Sequence, residues 1–259
     1  MRFAVACYIN DDSDLLAAWL EHYRAMGAEE FWFIVQGAPA DNAALAEQVA
    51  RSPDLHILDV DSRSYTSERR MEGCARLVEH LSRCWVMLVD SDEFVELPPP
   101  ARSLPDMARI LRGAGADCLE APMLHRVAPD GRLSAFTPGH CLDATYPLAV
   151  PDLYVQVGIP LSKTGKFPFF HVGEGVRYNR THLAPHGSRV SPRVRGVTHH
   201  YKWRSGARDR IERRANSAHT WASESQHLFD YLAARDWRLP TSGAFRASTD
   251  ELVARGWFS

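Results

Sequence analysis

Four short apolar runs near the start of the chain constrain its fold more than any other feature. Phe3 to Ile9, Phe31 to Val35, Leu55 to Val60 and Trp85 to Val89 are each strand-length. Segments of helical periodicity separate them. Leu15, Leu16, Trp19, Leu20 and Tyr23 recur on one helical face, after a polar stretch in which Ser13 or Asp14 can cap the helix. Gly27 closes that segment, Ala43 to Val49 forms a second, and Thr66 to Leu81 is a long amphipathic third. The order β-α-β-α-β-α-β predicts an α/β fold, with a mainly parallel sheet and helices on both faces. Ligands of such sheets bind at the carboxyl ends of the strands, where the strand order reverses. Asn10, Gln36 and Asp90 all fall at predicted strand ends.

The remainder of the chain is less regular. Pro98 to Pro100 interrupts it, Pro105 to Leu111 is a modest helix and Cys118 to Met123 a further strand. From Val127 to about Arg195 the chain is rich in Gly, Pro, Tyr and His, which predicts loops and short antiparallel strands. Ser205 to Trp237 returns to helical spacing in two pieces.

Composition narrows the class. With 45% hydrophobic and 24% charged residues the chain is that of a soluble globular protein. No apolar run is long enough to cross a bilayer, and Phe3 to Cys7 is too short for a secretory leader, so a cytoplasmic location is expected. The five cysteines lack paired spacing, which argues against a zinc site or disulfide framework. Charge is unevenly divided. Residues 1–120 carry 11 Lys and Arg against 21 Asp and Glu, whereas residues 121–259 carry 19 against 11. The acidic half can supply metal ligands and the basic half can hold phosphates, although two such halves can also simply attract each other within one fold.

The segment Trp85-Val-Met-Leu-Val-Asp90-Ser91-Asp92-Glu-Phe94 is the most informative. A buried strand ending in D-x-D puts two carboxylates at a cleft edge. A divalent cation relieves their repulsion and keeps positions open for substrate phosphates. Hard oxygen ligands suit Mg²⁺ or Mn²⁺ better than Zn²⁺.

Three blocks resemble the glycosyltransferase family 2-like and family 92-like proteins, a branch of the GT-A superfamily. They are Ala6 to Gly27, Trp85 to Phe94 with its D-x-D-E-F ending, and Thr198-His-His-Tyr-Lys-Trp-Arg-Ser205. The opening departs from the pattern, with Ile9 and Asp11 where the family often shows Lys and Glu. The resemblance implies a GT-A (Rossmann-like) catalytic domain over residues 1–205, with a nucleotide-binding half (1–97), an acceptor-side half (98–205) and a helical extension (206–259). It implies a metal-dependent, inverting glycosyltransferase that takes a nucleotide-sugar donor. The acceptor would be a glycan, a lipid-linked group or a small molecule. Asn10 would lie beside the base or ribose, Asp90 and Ser91 at the ribose or metal, and Asp92 would ligate the metal directly. His199 or His200 would complete the metal shell, and the sequence does not choose between them.

Other roles follow from residue chemistry. Arg70, Lys163, Lys166, Lys202 and Arg204 are cations able to hold a diphosphate, with Lys202 and Arg204 favoured because they follow the His pair. An inverting transferase needs a carboxylate base, for which Glu120 and Asp152 lead and Asp143 and Glu174 follow. His171 and His182 are candidates for the acceptor side, and Phe169, Phe170 and Trp203 for stacking on sugar rings. The arginines from Arg204 to Arg214 suit a solvated helix face or a peripheral membrane contact. No nucleic-acid partner is expected. Two alternatives stay open: a metal-dependent nucleotidyltransferase or other phosphate-transfer enzyme, and a non-catalytic nucleotide- or glycan-binding module.

Overall fold

The computed structural model describes the chain except residues 10–12, 38–42, 63–65, 160–164, 179–181, 217–221 and 259. In chain order the elements are β1 (Phe3–Ile9), α1 (Ser13–Ala25), β2 (Glu30–Gln36), α2 (Ala43–Arg51), β3 (Leu55–Asp61), α3 (Ser67–His80), β4 (Trp85–Leu88) and β5 (Glu93–Glu96). Next come α4 (Leu104–Gly113), β6 (Cys118–Glu120), β7 (Met123–Val127), α5 (Leu142–Thr145), β8 (Leu148–Val150) and α6 (Leu153–Gln156). The chain continues through β9 (Phe169–His171), β10 (Val190–Arg195), β11 (Val197–His200), α7 (Ala207–Ala215), α8 (Ala222–Ala233), β12 (Phe245–Arg246) and α9 (Thr249–Ala254). The expected alternation of strands and helices over the first ninety or so residues is present.

Two compact units emerge from the contacts. The first joins residues 1–122, 165–198 and 257–259, and the second joins 123–164 and 199–256. In the first unit, seven strands form one sheet in the order β10-β6-β9-β4-β1-β2-β3. β1 pairs in parallel with β2 and β4, β2 with β3, and β6 with β10. Only β9 runs against its neighbours, β4 and β6. All seven residues of β1 are buried, as befits a central parallel strand covered on both faces. From β1 the chain moves through β2 to β3 on one side, and then returns to lay β4 on the other. The reversal opens a crevice beyond the carboxyl ends of β1 and β4.

The helix that follows β3 is placed by its own sequence. Thr66 caps α3, its side chain accepting the backbone N–H of Arg69. Gly73, Cys74, Leu77 and Val78 are buried on one face of α3. At Gly73 a Cβ would stand 2.7 Å from the ring of Tyr8, so only glycine lets the helix lie this close to β1. Tyr8, Cys74, Leu77 and Val78 join Ala4, Ala6 and Ile34 in a shared core.

In the second unit β12, β8, β7 and β11 lie side by side in that order, with β8 antiparallel to both β7 and β12. Its core combines Val127, Val150, Leu153 and Val157 with Trp203, Ile211, Leu228 and Leu232. No disulfide joins Cys7, Cys74, Cys84, Cys118 and Cys141, all of which are free thiols. Among the described residues no helix is long and apolar enough to cross a membrane.

Candidate functional site

The acidic segment after β4 is a tight, braced turn. The Glu93 N–H donates to the Asp90 carbonyl at 3.1 Å, and the Asp90 N–H donates to Glu93 Oε2 at 3.1 Å. Trp19 Nε1 adds a hydrogen bond to the same Asp90 carbonyl at 3.1 Å. On the far side the Tyr23 hydroxyl donates to the Glu93 carbonyl at 3.0 Å and accepts from the Val95 N–H at 3.1 Å. The face of α1 that looked merely apolar in sequence therefore also clamps the D-x-D-E backbone. Burial pushes the Tyr23 hydroxyl well above its usual range, keeping it a neutral donor.

The side chains of this turn meet two cations. β9 pairs antiparallel with β4 in the register Trp85↔His171, Val86↔Phe170 and Met87↔Phe169. Continued past the strand ends, this register sets Lys166 opposite Asp90. The backbone supports the continuation, since the Leu88 N–H donates to the Pro168 carbonyl at 2.7 Å. Lys166 Nζ lies 2.6 Å from Glu93 Oε1 and 3.5 Å from Asp90 Oδ2. Arg70 extends from the first turn of α3 and donates through Nη2 to Asp90 Oδ1. The Lys166 and Glu93 side chains are only 5% and 2% exposed, so this pair is removed from water.

These charges set one another. Burial alone would raise the Asp90 carboxyl, and Asp92 opposes its ionisation too; Arg70 and Lys166 outweigh both and hold it well below the ordinary carboxylate range. Burial would likewise lower the Lys166 ammonium, but Glu93 and Asp90 raise it above the ordinary lysine value. Asp90 and Lys166 are thus both charged at neutral pH. Asp92, half-buried, adds one more negative charge to the turn.

A small cavity of about 20 Å³ adjoins this cluster. Arg70 and Asp90 line it together with Tyr8, Cys74, Phe167 and Tyr178. Tyr8 is fixed by its hydroxyl, which donates to Gln36 Oε1 at 2.5 Å, while Gln36 Nε2 donates to the Asp61 carbonyl at 3.3 Å. The ends of β1, β2 and β3 are thereby tied together, and Gln36 serves as a structural link. Burial raises the Cys74 thiol to about 11, which keeps it un-ionised.

Of the residues singled out in the sequence, Asp90, Ser91, Asp92, Arg70 and Lys166 belong to the first unit. Asn10 and Lys163 lie outside the described residues. Glu120 ends β6, and its carboxylate pairs with Arg195 at 3.3 Å. Asp152 is exposed at the start of α6 and accepts from the Gln156 side chain at 2.8 Å.

His199, His200, Lys202 and Arg204 belong to the second unit. Arg126 Nη1 lies 3.2 Å from His199 Nδ1, and its Nη2 donates to Asp143 Oδ1 at 2.7 Å. The Tyr201 hydroxyl donates to that same oxygen at 2.9 Å. Because a guanidinium only donates, His199 accepts at Nδ1, and in its neutral form carries its proton on Nε2. His200 Nδ1 lies 3.3 Å from His125 Nδ1, to which Trp203 Nε1 also donates at 3.2 Å. His125 Nδ1 is then an acceptor, and His200 donates to it from Nδ1. The two adjacent histidines differ in tautomer. Lys202 Nζ donates to the Tyr154 hydroxyl at 3.0 Å and lies over the Trp203 ring. Arg204, 2% exposed, donates to the Tyr201 carbonyl.

Sequence reading missed the bracing role of Glu93 and the buried His125. Glu93 stood in view beside the acidic pair; His125 had no flanking motif to mark it.

No protein-family model matches the chain, and no curated protein matches it significantly. Solved structures do. S. aureus TarS 1–349 is 14% identical with a TM-score of 0.43, covering 92% of this chain and 72% of that one. The same protein in complex with UDP gives 14% identity, a TM-score of 0.42 and coverage of 93% and 73%. A UDP-glucose pyrophosphorylase complexed with UDP-glucose is 8% identical with a TM-score of 0.30, covering 92% of this chain and 87% of that one.

Proposed function

We propose that this chain is a glycosyltransferase of the GT-A type, moving a sugar from a nucleotide-diphosphate sugar to an acceptor hydroxyl. The observation that carries the reading is the braced Asp90–Glu93 turn. It stands at the crevice between β1 and β4, with Arg70 and Lys166 against its carboxylates and an aromatic cavity alongside.

The residues present fit a divalent cation in one way. Among the described residues no group of three or more His, Cys, Asp or Glu side chains forms a cage for a metal ion. Mg²⁺ and Mn²⁺ are commonly held by one or two carboxylates plus substrate phosphates, and Asp92 suits that mode. When bound, such a cation neutralises charge that develops on the departing diphosphate. The protein's own part is to orient and to exclude water. Arg70 and Lys166 set positive charge beside the leaving group, and the rigid turn holds that charge in place without reorganisation. The acceptor hydroxyl must lose a proton as the new bond forms, and Glu120 and Asp152 remain the candidates to take it.

The test is a thermal-shift panel of nucleoside diphosphates and nucleotide sugars, each with and without Mn²⁺. A ligand that binds the native state raises its midpoint by mass action. A donor nucleotide is expected to raise the midpoint, and Asp92→Asn to remove the Mn²⁺-dependent part while the variant still melts cooperatively. No shift with any member would count against the proposal. Release of pyrophosphate from a nucleoside triphosphate would move the assignment to a nucleotidyltransferase.

A further inference from the structure

We infer that Asp90 serves as an anchor for Arg70 and Lys166, and that Arg70 gives this site a resident, metal-independent hold on a diphosphate. The inference deepens the reading above and rests on it. Both carboxylate oxygens of Asp90 are already engaged, Oδ1 by Arg70 and Oδ2 by Lys166. A divalent cation placed on Asp90 would have to sit against two positive side chains or drive them off. An anion is instead attracted by these two side chains, against the opposing charge of Asp90, Asp92 and Glu93.

The arrangement is costly to build for structure alone. A buried ion pair seldom adds net stability over apolar packing, because both partners lose their water. Here the Lys166 ammonium and the Glu93 carboxylate are almost wholly buried, and Glu93 is held in place by the turn that it closes. Such a pair fixes the position of a charge. Arg70 is the cation that reaches a surface, since its side chain is 19% exposed and the residue lines the cavity with Tyr8 and Tyr178. A planar guanidinium can serve a carboxylate on one edge and a phosphate on another, which an ammonium or a metal ion does less selectively. Asp90 is accordingly a positioning residue for Arg70, and Glu93 is one for Lys166.

Calorimetric titration separates this idea from the functional reading beneath it. The intact protein is titrated with UDP, ADP, GDP and CDP, and with the matching nucleosides, first in EDTA and then in Mn²⁺. At least one nucleoside diphosphate is expected to bind in EDTA within about tenfold of its affinity in Mn²⁺, and its nucleoside to bind far more weakly. Arg70→Ala should weaken the EDTA binding by about tenfold or more, and Arg70→Lys should recover only part of the loss. Melting curves of both variants show whether they are folded. Should Arg70→Ala fail to fold, the salt dependence of wild-type binding in EDTA decides, since a hold through a cation must weaken as NaCl rises. Binding seen only with Mn²⁺ would overturn the inference and leave the proposed function standing. EDTA binding unchanged in folded Arg70→Ala, or insensitive to salt, would also overturn it. No binding of any diphosphate in either condition would remove both.

Discussion

At Lys166 a lysine ammonium is nearly hidden from water and held between Glu93 and Asp90. Removing it would take from Glu93 and Asp90 the ammonium that both carboxylates contact. Lys166→Met is therefore expected to cost about 3–5 kcal/mol, the usual penalty for breaking a buried pair from one side, as measured by urea unfolding at pH 7. The pH dependence of wild type has a defined shape. Asp90 is depressed below its unfolded value of about 3.9, so its stabilisation is complete above about pH 4 and is lost as pH falls through the folded value. Lys166 is raised above its unfolded value of about 10.4, so its stabilisation is complete below that pH and is lost as pH rises through the folded value. Wild type should show a plateau bounded by both losses, and Lys166→Met should lack the alkaline one. Asp90 and Asp92 were legible in the sequence because their chemistry sits in one short block after an apolar run. Lys166 could be named only as one cation among several. Its place is fixed by a strand register spanning 76 residues, and no local pattern reports such a register.

The placement of Arg70 belongs to α3 as an element. Arg70, Gly73, Cys74 and Leu77 follow helical spacing, so the packing of Gly73 on Tyr8 decides how deeply Arg70 reaches toward the end of β4. Gly73→Ala puts a methyl group into the Tyr8 ring, and the helix or the ring must shift. Overpacking of this kind costs about 1–3 kcal/mol. The expected result is a lower melting midpoint together with weaker diphosphate binding, since Tyr8 and Arg70 both line the cavity. Tight binding at wild-type strength in a destabilised Gly73→Ala would show that α3 does not set the site. Sequence periodicity located α3 to within about a residue at each end, since both its cap and its apolar face are local features. The antiparallel strand β9 lies where short antiparallel strands were expected, between Val127 and Arg195, but the sequence does not mark its own position. It has three residues within a Gly- and aromatic-rich stretch, and its direction depends on the strands on either side.

For the whole chain, the first unit is assembled from segments far apart in sequence. β9 lies between β4 and β6, so the central sheet stays split until residues 165–198 arrive. A fragment ending at Pro122 would expose the open edges of both β4 and β6. It is expected to lack a cooperative melting transition and to aggregate, whereas the full chain melts cooperatively. A boundary drawn linearly along the sequence could not show this, because composition changes gradually where the contacts change abruptly. The same topology governs timing. Lys166 immediately precedes β9, so the lysine that balances the acidic turn arrives with the strand that closes the sheet. A chain emerging from the ribosome carries Asp90, Asp92 and Glu93 long before it carries their lysine. During that interval Arg70 alone of the two cations has been made. On the proposed reading, the hold on a diphosphate is therefore complete only when β9, the strand that closes the sheet, is in place.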